Sequence, residues 1–279
     1  MSTPTPTAVT LAAAAPPDTA PPDAISDGPA RTVLLLGASN VSLGLRAILR
    51  SLRSGLEGDL NVLVAAGHGR SYGDRTVTFG RSLPGLLRCG AWAAYARRPV
   101  GPPPLVCFTD IGNDLLYNTP PATLTGWVAT CLDRLGGEPE LVMTLPPSRR
   151  AAAIPAWQYH TARGLLFPSL TPLPWDEMKQ RADELHDRLS ALACSRSIAP
   201  LEPPTDWYGL DPIHIRRRNR AEAWDQIFTG WRSFNPEGEA TLPRVPVVWG
   251  KAAKCRVFGR TRSTSQPVWT GAGIRLSLY

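Results

Sequence analysis

The first apolar run of the chain, residues 33–36 (VLLL), has no polar interruption, which is the pattern of a parallel strand covered on both faces. It stops at Gly37, and from Val41 the period changes. Val41, Leu43, Leu45, Ile48, Leu49 and Leu52 suit the buried face of a helix better than a continued strand. Further runs predict strands over 60–66 (LNVLVAA), 104–109 (PLVCFT) and 140–145 (ELVMTL), with a short fifth over 197–201. Helical sequence lies between them. One helix is expected over 83–96. A second opens on Thr119 as N-cap and Pro120 at the first helical position, with Leu124, Trp127, Val128, Cys131 and Leu135 as its stripe. A third carries Met178, Ala182, Leu185, Leu189 and Leu192 on one face, and a last one covers 219–234. Strands and helices alternating at this spacing predict βαβ units and a mainly parallel five-stranded sheet in a three-layer α/β/α sandwich.

Two segments break the rhythm. Residues 149–175 hold four prolines and several aromatics with no clear period, and a loop of that length in a compact domain is usually functional or mobile. Beyond residue 235 come short apolar pieces at 247–249, 256–258, 268–269 and 274–278, punctuated by Gly250, Gly259, Gly271 and Gly273; they predict a small C-terminal β appendage. Residues 1–30 contain seven prolines and no aromatic, and they cannot bury enough apolar surface to offset ordering. The expected organisation is therefore a disordered leader (1–30), an α/β domain (31–234) and a basic β-rich appendage (235–279).

Composition adds compartment and charge. The 279 residues are 43% hydrophobic and 19% charged, an ordinary globular balance. The leader lacks the basic start and long apolar centre of a signal peptide, and no run is long enough to span a bilayer. Cys89, Cys107, Cys131, Cys194 and Cys255 are scattered without a CxxC pair, as reduced thiols in a cytoplasmic protein would be. The four histidines show no metal-ligand spacing, so no metal and no cofactor are expected. Seven basic residues in 240–279 face no acid and account for the whole net charge of +7. That tail is either packed on the domain or a weak anion-binding patch; nucleic acid is not an expected partner.

The polar residues of interest fall in the turns after the strands, which share one edge of a parallel sheet. Ser39 lies in the strand-to-helix turn. Gly67 to Gly73 (GHGRSYG) follow the second strand, Asn113 and Asp114 the third, and Asp211 and His214 lie in the loop TDWYGLDPIHI. Acyl transfer needs a hydroxyl nucleophile, an imidazole base, a carboxylate to orient it and donors for the oxyanion, and all are available here. Each also has a plainer explanation: Ser39 as an N-cap, Asp211 as a cap of the final helix, Asn113-Asp114 as a loop-closing turn, His68 as a surface residue. An α/β-hydrolase elbow is excluded by Val41 at the second glycine position. A dinucleotide loop lacks its acidic residue, since no Asp or Glu occurs between Asp74 and Asp110.

The order GASN, glycine loop, GND and DPIH resembles the SGNH hydrolases, also called the GDSL esterase/lipase family, over residues 31–234. The resemblance implies Ser39 as nucleophile, Asp211 and His214 as its triad partners, and an oxyanion hole of the Ser39 amide, a glycine amide (Gly67, with Gly69 as alternative) and the Asn113 side chain. It implies an esterase or acyl hydrolase acting on a small-molecule ester; an acyltransferase, or a binding module that kept the fold, is the alternative. Ala38 stands where the family commonly has aspartate, Asn40 where leucine is common, and Gly112 one place late. Trp157, Tyr159 and Phe167 are expected to line the acyl or alcohol pocket.

Overall fold

The computed structural model describes residues 30–78, 80–147, 154–166, 173–238 and 250–279; the proline-rich leader, Phe167 and the expected strand at 247–249 fall outside them. Five strands run parallel: β1 (Arg31–Leu36), β2 (Leu60–Ala65), β5 (Leu105–Phe108), β6 (Glu140–Thr144) and β7 (Pro200–Leu201). They are ordered β2-β1-β5-β6-β7, so the chain reverses its direction of travel across the sheet between β1 and β5. That reversal opens a crevice at the carboxyl ends of β1 and β5, where open α/β sheets place their sites.

Alternate residues of each strand feed two separate cores. Val33 and Leu35 of β1 join Val62, Val64, Leu105 and Cys107 on one face. Leu34 and Leu36 join Leu63, Ala65, Val106 and Phe108 on the other. The first core is closed by α1 (Ser39–Gly55) and by Trp224, Ile227 and Phe228 near the end of the domain; the second by Tyr95 of α2 (Ala91–Ala96), by α3 (Pro121–Asp133), and by Leu185 and Leu189 of a later long helix. Two-sided burial is why the strands read as unbroken apolar runs. Next along the chain come α4 (Ala156–Leu166), α5 (Trp175–Ser195) and α6 (Arg220–Phe228). Gly44 lets the first and last helices meet closely, since a Cβ there would lie 2.3 Å from the Trp224 indole nitrogen.

Several expectations are corrected. The main sheet has seven strands, not five, because the tail completes it: β11 (Ile274–Leu278) adds parallel to β2, and β10 (Trp269–Gly271) pairs antiparallel outside it. The tail's other strands, β8 (Lys254–Val257) and β9 (Arg260–Ser263), join β3 (Thr76–Thr78) and β4 (Arg81–Leu83) in a four-stranded antiparallel sheet. The C-terminal β structure is thus woven into the fold. The helix expected over 83–96 is split into β4, a single turn at Leu86–Arg88 and α2. Pro84 removes a backbone donor, and Gly85 sits where a Cβ would collide with the Gly73 carbonyl at 2.3 Å. α3 starts one residue late, with Pro120 as cap and Pro121 as first helical residue, and the final helix ends at Phe228 rather than at 234. Conversely, the segment read as an aperiodic loop contains α4. Among the described residues no helix is long and apolar enough to cross a membrane.

Candidate active site

Ser39 is the first residue of α1, directly after the turn that ends β1, and is 4% exposed. Its hydroxyl does not cap the helix. The capping is done from another strand: the Asp110 carboxylate accepts from the amides on either side of Ser39, Ala38 N at 2.7 Å and Asn40 N at 3.1 Å. A carboxylate at a helix N-terminus also meets the positive end of the helix dipole. Asp110 leaves β5 in the left-handed region (φ 59°), a conformation non-glycine residues adopt at a cost and which aims its side chain back at the turn. Burial raises its pKa, against the hydrogen bonds from Asn40 and Ala38 and the influence of His214.

Asn40 carries the connection onward. Its side-chain amide donates to Asp110 Oδ1 at 2.6 Å and to the Ile213 carbonyl at 2.9 Å, while its oxygen accepts from Ile215 N at 2.8 Å. The backbone on both sides of His214 is therefore fastened to the residue after Ser39. Within that loop the His214 ring Nδ1 meets Asp211 Oδ2 at 2.5 Å, and Asp211 Oδ1 accepts from the amides of Ile213 and His214. Asp211 is thus the partner of the imidazole and not a cap of α6, which begins at Arg220. Burial pushes the Asp211 carboxyl up, but the His214 ring and the two amides outweigh it and hold its pKa below the usual value. With Nδ1 engaged, Nε2 is the nitrogen left for proton transfer. Ser39 Oγ makes no hydrogen bond to His214 or to any other described residue.

The remaining predicted residues divide. Gly67 follows β2, and a Cβ there would lie 2.3 Å from Leu83 Cδ1, a side-chain end of β4 that would have to shift. Gly69 has φ 59°, and its carbonyl accepts from Tyr117 Oη at 2.6 Å. Asn113 lies in the 3₁₀-helical run Ile111–Tyr117, buried, with its side-chain amide not bonded to a described residue. Asp114 does more than close a loop. Fully buried, it accepts from Ser71 Oγ and from Tyr72 N at 3.0 Å, tying the glycine loop to the third turn. Burial raises its pKa to about 6 despite those two donors. Tyr72 Oη in turn reaches the carbonyls of Leu36, the last residue of β1, and of Thr109, the residue just beyond β5.

Beside these residues is an apolar cavity of about 120 Å³, with Asn40, Asp110 and Asn113 at one side and Leu145, Ile154, Tyr159, Met178, Tyr208 and Ile213 among its walls. Tyr159 is among the residues that line it. Trp157 does not: it is 65% exposed on α4 and absent from the lining. His68 is half-buried near His214, and its pKa is lowered by burial first and then by His214 and Arg81. The residues that sequence reasoning did not single out are Asp110, Asn40 as a clamp, and Tyr72; their only signal was the cluster of polar residues at strand ends.

No protein-family model matches the sequence, and no curated protein does. Among solved structures, the chain is similar to an aryl esterase of M. smegmatis in its inhibitor-bound form, with 16% identity and a TM-score of 0.47 over 74% of this chain and 100% of that one. For the native form of that esterase the identity is 16% and the TM-score 0.42, over 71% of this chain and 96% of the other.

Proposed function

We propose that the protein is a serine hydrolase that cleaves a carboxylic ester. The observation that most supports this reading is the Asp211–His214 pair at 2.5 Å on a loop whose backbone, on both sides of the imidazole, is bonded to Asn40, the neighbour of Ser39. His214 Nε2 takes the Ser39 proton as Oγ attacks the ester carbonyl, and Asp211 stabilises the imidazolium that forms. The amides of Ser39 and Gly67 and the Asn113 side chain serve the developing oxyanion. Collapse of the tetrahedral species breaks the ester bond, His214 gives its proton to the leaving alcohol, and water repeats the sequence on the acyl-enzyme.

The apolar cavity is the acyl pocket in this reading. A dry cavity of roughly 150 Å³ accepts a benzene ring. At about 120 Å³ this one suits short aliphatic or small branched acyl groups. The test is hydrolysis of 4-nitrophenyl esters from acetyl to decanoyl by purified protein and by Ser39→Ala. Turnover that peaks at short chains and is lost in the variant supports the proposal; equal turnover by both proteins contradicts it. A binding module without turnover is favoured by one observation, the absent hydrogen bond between Ser39 and His214. That reading predicts saturable binding of the same esters with no product.

A further inference from the structure

The four-stranded antiparallel sheet turns one face inward and one outward. Leu83 of β4 and Cys255 of β8 pack inward with Ala252. The adjacent row in register, Val77–Ser82–Arg256–Thr261, crosses all four strands and points the other way, because successive residues of a strand alternate between faces. On this outer face Val77 is 68% exposed, Arg256 and Thr261 are exposed, and Arg75 lies over Ser82 with Nη1 3.4 Å from its hydroxyl oxygen. Lys254, two residues before Arg256 on β8, shares the face and is exposed.

At the end of the sheet the β8–β9 turn carries Phe258, 83% exposed and at φ 46°. A bulky residue in the left-handed region is an outlier, and burial does not repay it here. The Phe258 amide donates to the Gly80 carbonyl at 2.8 Å, and its ring lies across Gly80, where a Cβ would come within 2.5 Å of it. The aromatic is thus held outward at the tip.

Around these apolar side chains the charge has one sign. Arg75, Lys254, Arg256, Arg260 and Arg262 are all exposed, whereas residues 75–109 and 250–279 contain no Asp or Glu. A cationic face with projecting apolar side chains is complementary to an anionic, amphiphilic surface. We propose that the outer face of this sheet docks on an anionic phospholipid surface, with the basic side chains at the headgroups and Phe258 and Val77 entering the interface. A second copy of this face would be repelled by its own charge. Single-stranded nucleic acid is bound by stacking on aromatic faces in a groove, and aliphatic Val77 on a projecting face offers no such platform. The sheet is joined to the candidate site, since β3 begins three residues after Gly73 of the glycine loop and Leu83 packs against Gly67. The docking itself does not depend on Ser39 being a nucleophile.

The experiment is flotation of the full chain with vesicles of phosphatidylcholine alone and of phosphatidylcholine mixed with phosphatidylglycerol. The proposal predicts binding to the mixed vesicles only, weakened by salt. Arg256→Gln with Arg260→Gln should lower the affinity roughly tenfold or more, since each basic side chain at an anionic leaflet strengthens association about fivefold. Arg256→Lys with Arg260→Lys should retain it. Phe258→Ser should also weaken binding, although the net charge is unchanged. Arg188→Gln with Arg196→Gln removes the same charge from α5 and should leave binding in place; melting curves confirm that each variant is folded. No binding to mixed vesicles overturns the proposal. An equal loss in the α5 variant overturns it too, because attraction would then follow net charge and not this face. Unchanged vesicle binding by Phe258→Ser, or binding to a single-stranded oligonucleotide with none to vesicles, overturns the assignment to lipid.

Discussion

The side chain of Asn40 donates to the carboxylate of Asp110 at 2.6 Å, joining the residue after Ser39 to the second residue beyond β5. Through the same side chain the loop of His214 is held at Ile213 and Ile215. Three turns that are far apart in sequence are thereby fixed relative to one another by one carboxamide. Leucine at this position would fill the space without any of these bonds.

Asn40→Leu is therefore expected to leave the Ile215 amide and part of Asp110 unpaired, at about 1–3 kcal/mol for each unsatisfied buried group. The loss of alignment should lower kcat roughly ten- to a hundredfold and move KM little. Urea denaturation and steady-state ester kinetics on one preparation measure both. A stable variant with normal kcat would remove Asn40 from the positioning of His214.

Asp114 supplies a pH dependence of stability. Its folded pKa of about 6 is above the ordinary carboxyl value, so folding favours the protonated form. Its contribution is fully present below about pH 4 and is lost as pH rises through about 6. Wild-type stability relative to Asp114→Asn should fall across that window, as read from urea midpoints at pH 4, 5, 6 and 7. Asp211 has the opposite sign, because its pKa is lowered; its pairing with His214 is present above the usual carboxylate range and lost only as pH falls below it.

Met178 is buried and forms part of the wall of the apolar cavity. Met178→Trp should fill the space and cut turnover of acyl groups longer than acetyl about tenfold relative to acetyl. Trp157→Ala, at an exposed position outside the lining, should leave the chain-length profile unchanged. A profile that responded to Trp157 and not to Met178 would place the acyl group elsewhere.

Leu276 of β11 is fully buried and stands opposite Val62 of β2. Leu276→Ala should cost about 2–5 kcal/mol, the range for a large-to-small change in a packed core. Deleting residues 264–279 would uncover the edge of β2 and is expected to give insoluble protein. The tail also ends against the site, since Tyr279 N bonds Val64 O at 2.8 Å and buried Arg70 of the glycine loop reaches the Tyr279 backbone oxygen. Soluble, fully folded protein after the deletion would contradict this account of the tail.

The parallel sheet was legible because strands buried on both faces need unbroken apolar sequence, as in VLLL and LVCF. The DPIH turn was legible because an aspartate three residues before a histidine brings the two side chains together within one loop. The pairing of β11 with β2 was not, since partners more than 200 residues apart share no local signal. Asp110 was hidden for another reason: in the turn TDIGND an aspartate has an adequate local explanation, and its use as the cap of a distant helix depends on φ 59°. The helix Ala156–Leu166 was missed because Gln158, His160 and Arg163 interrupt any single apolar stripe.

The central claim, that Ser39 is a nucleophile activated by His214 and Asp211, is tested most directly by active-site titration with a fluorophosphonate, read by intact mass and peptide mapping. The predicted result is one adduct per chain, on Ser39, absent in Ser39→Ala and formed about 10²- to 10⁴-fold more slowly in Asp211→Asn. No adduct, an adduct on another residue, or labelling of Ser39 at the wild-type rate in both Asp211→Asn and His214→Ala would contradict the account.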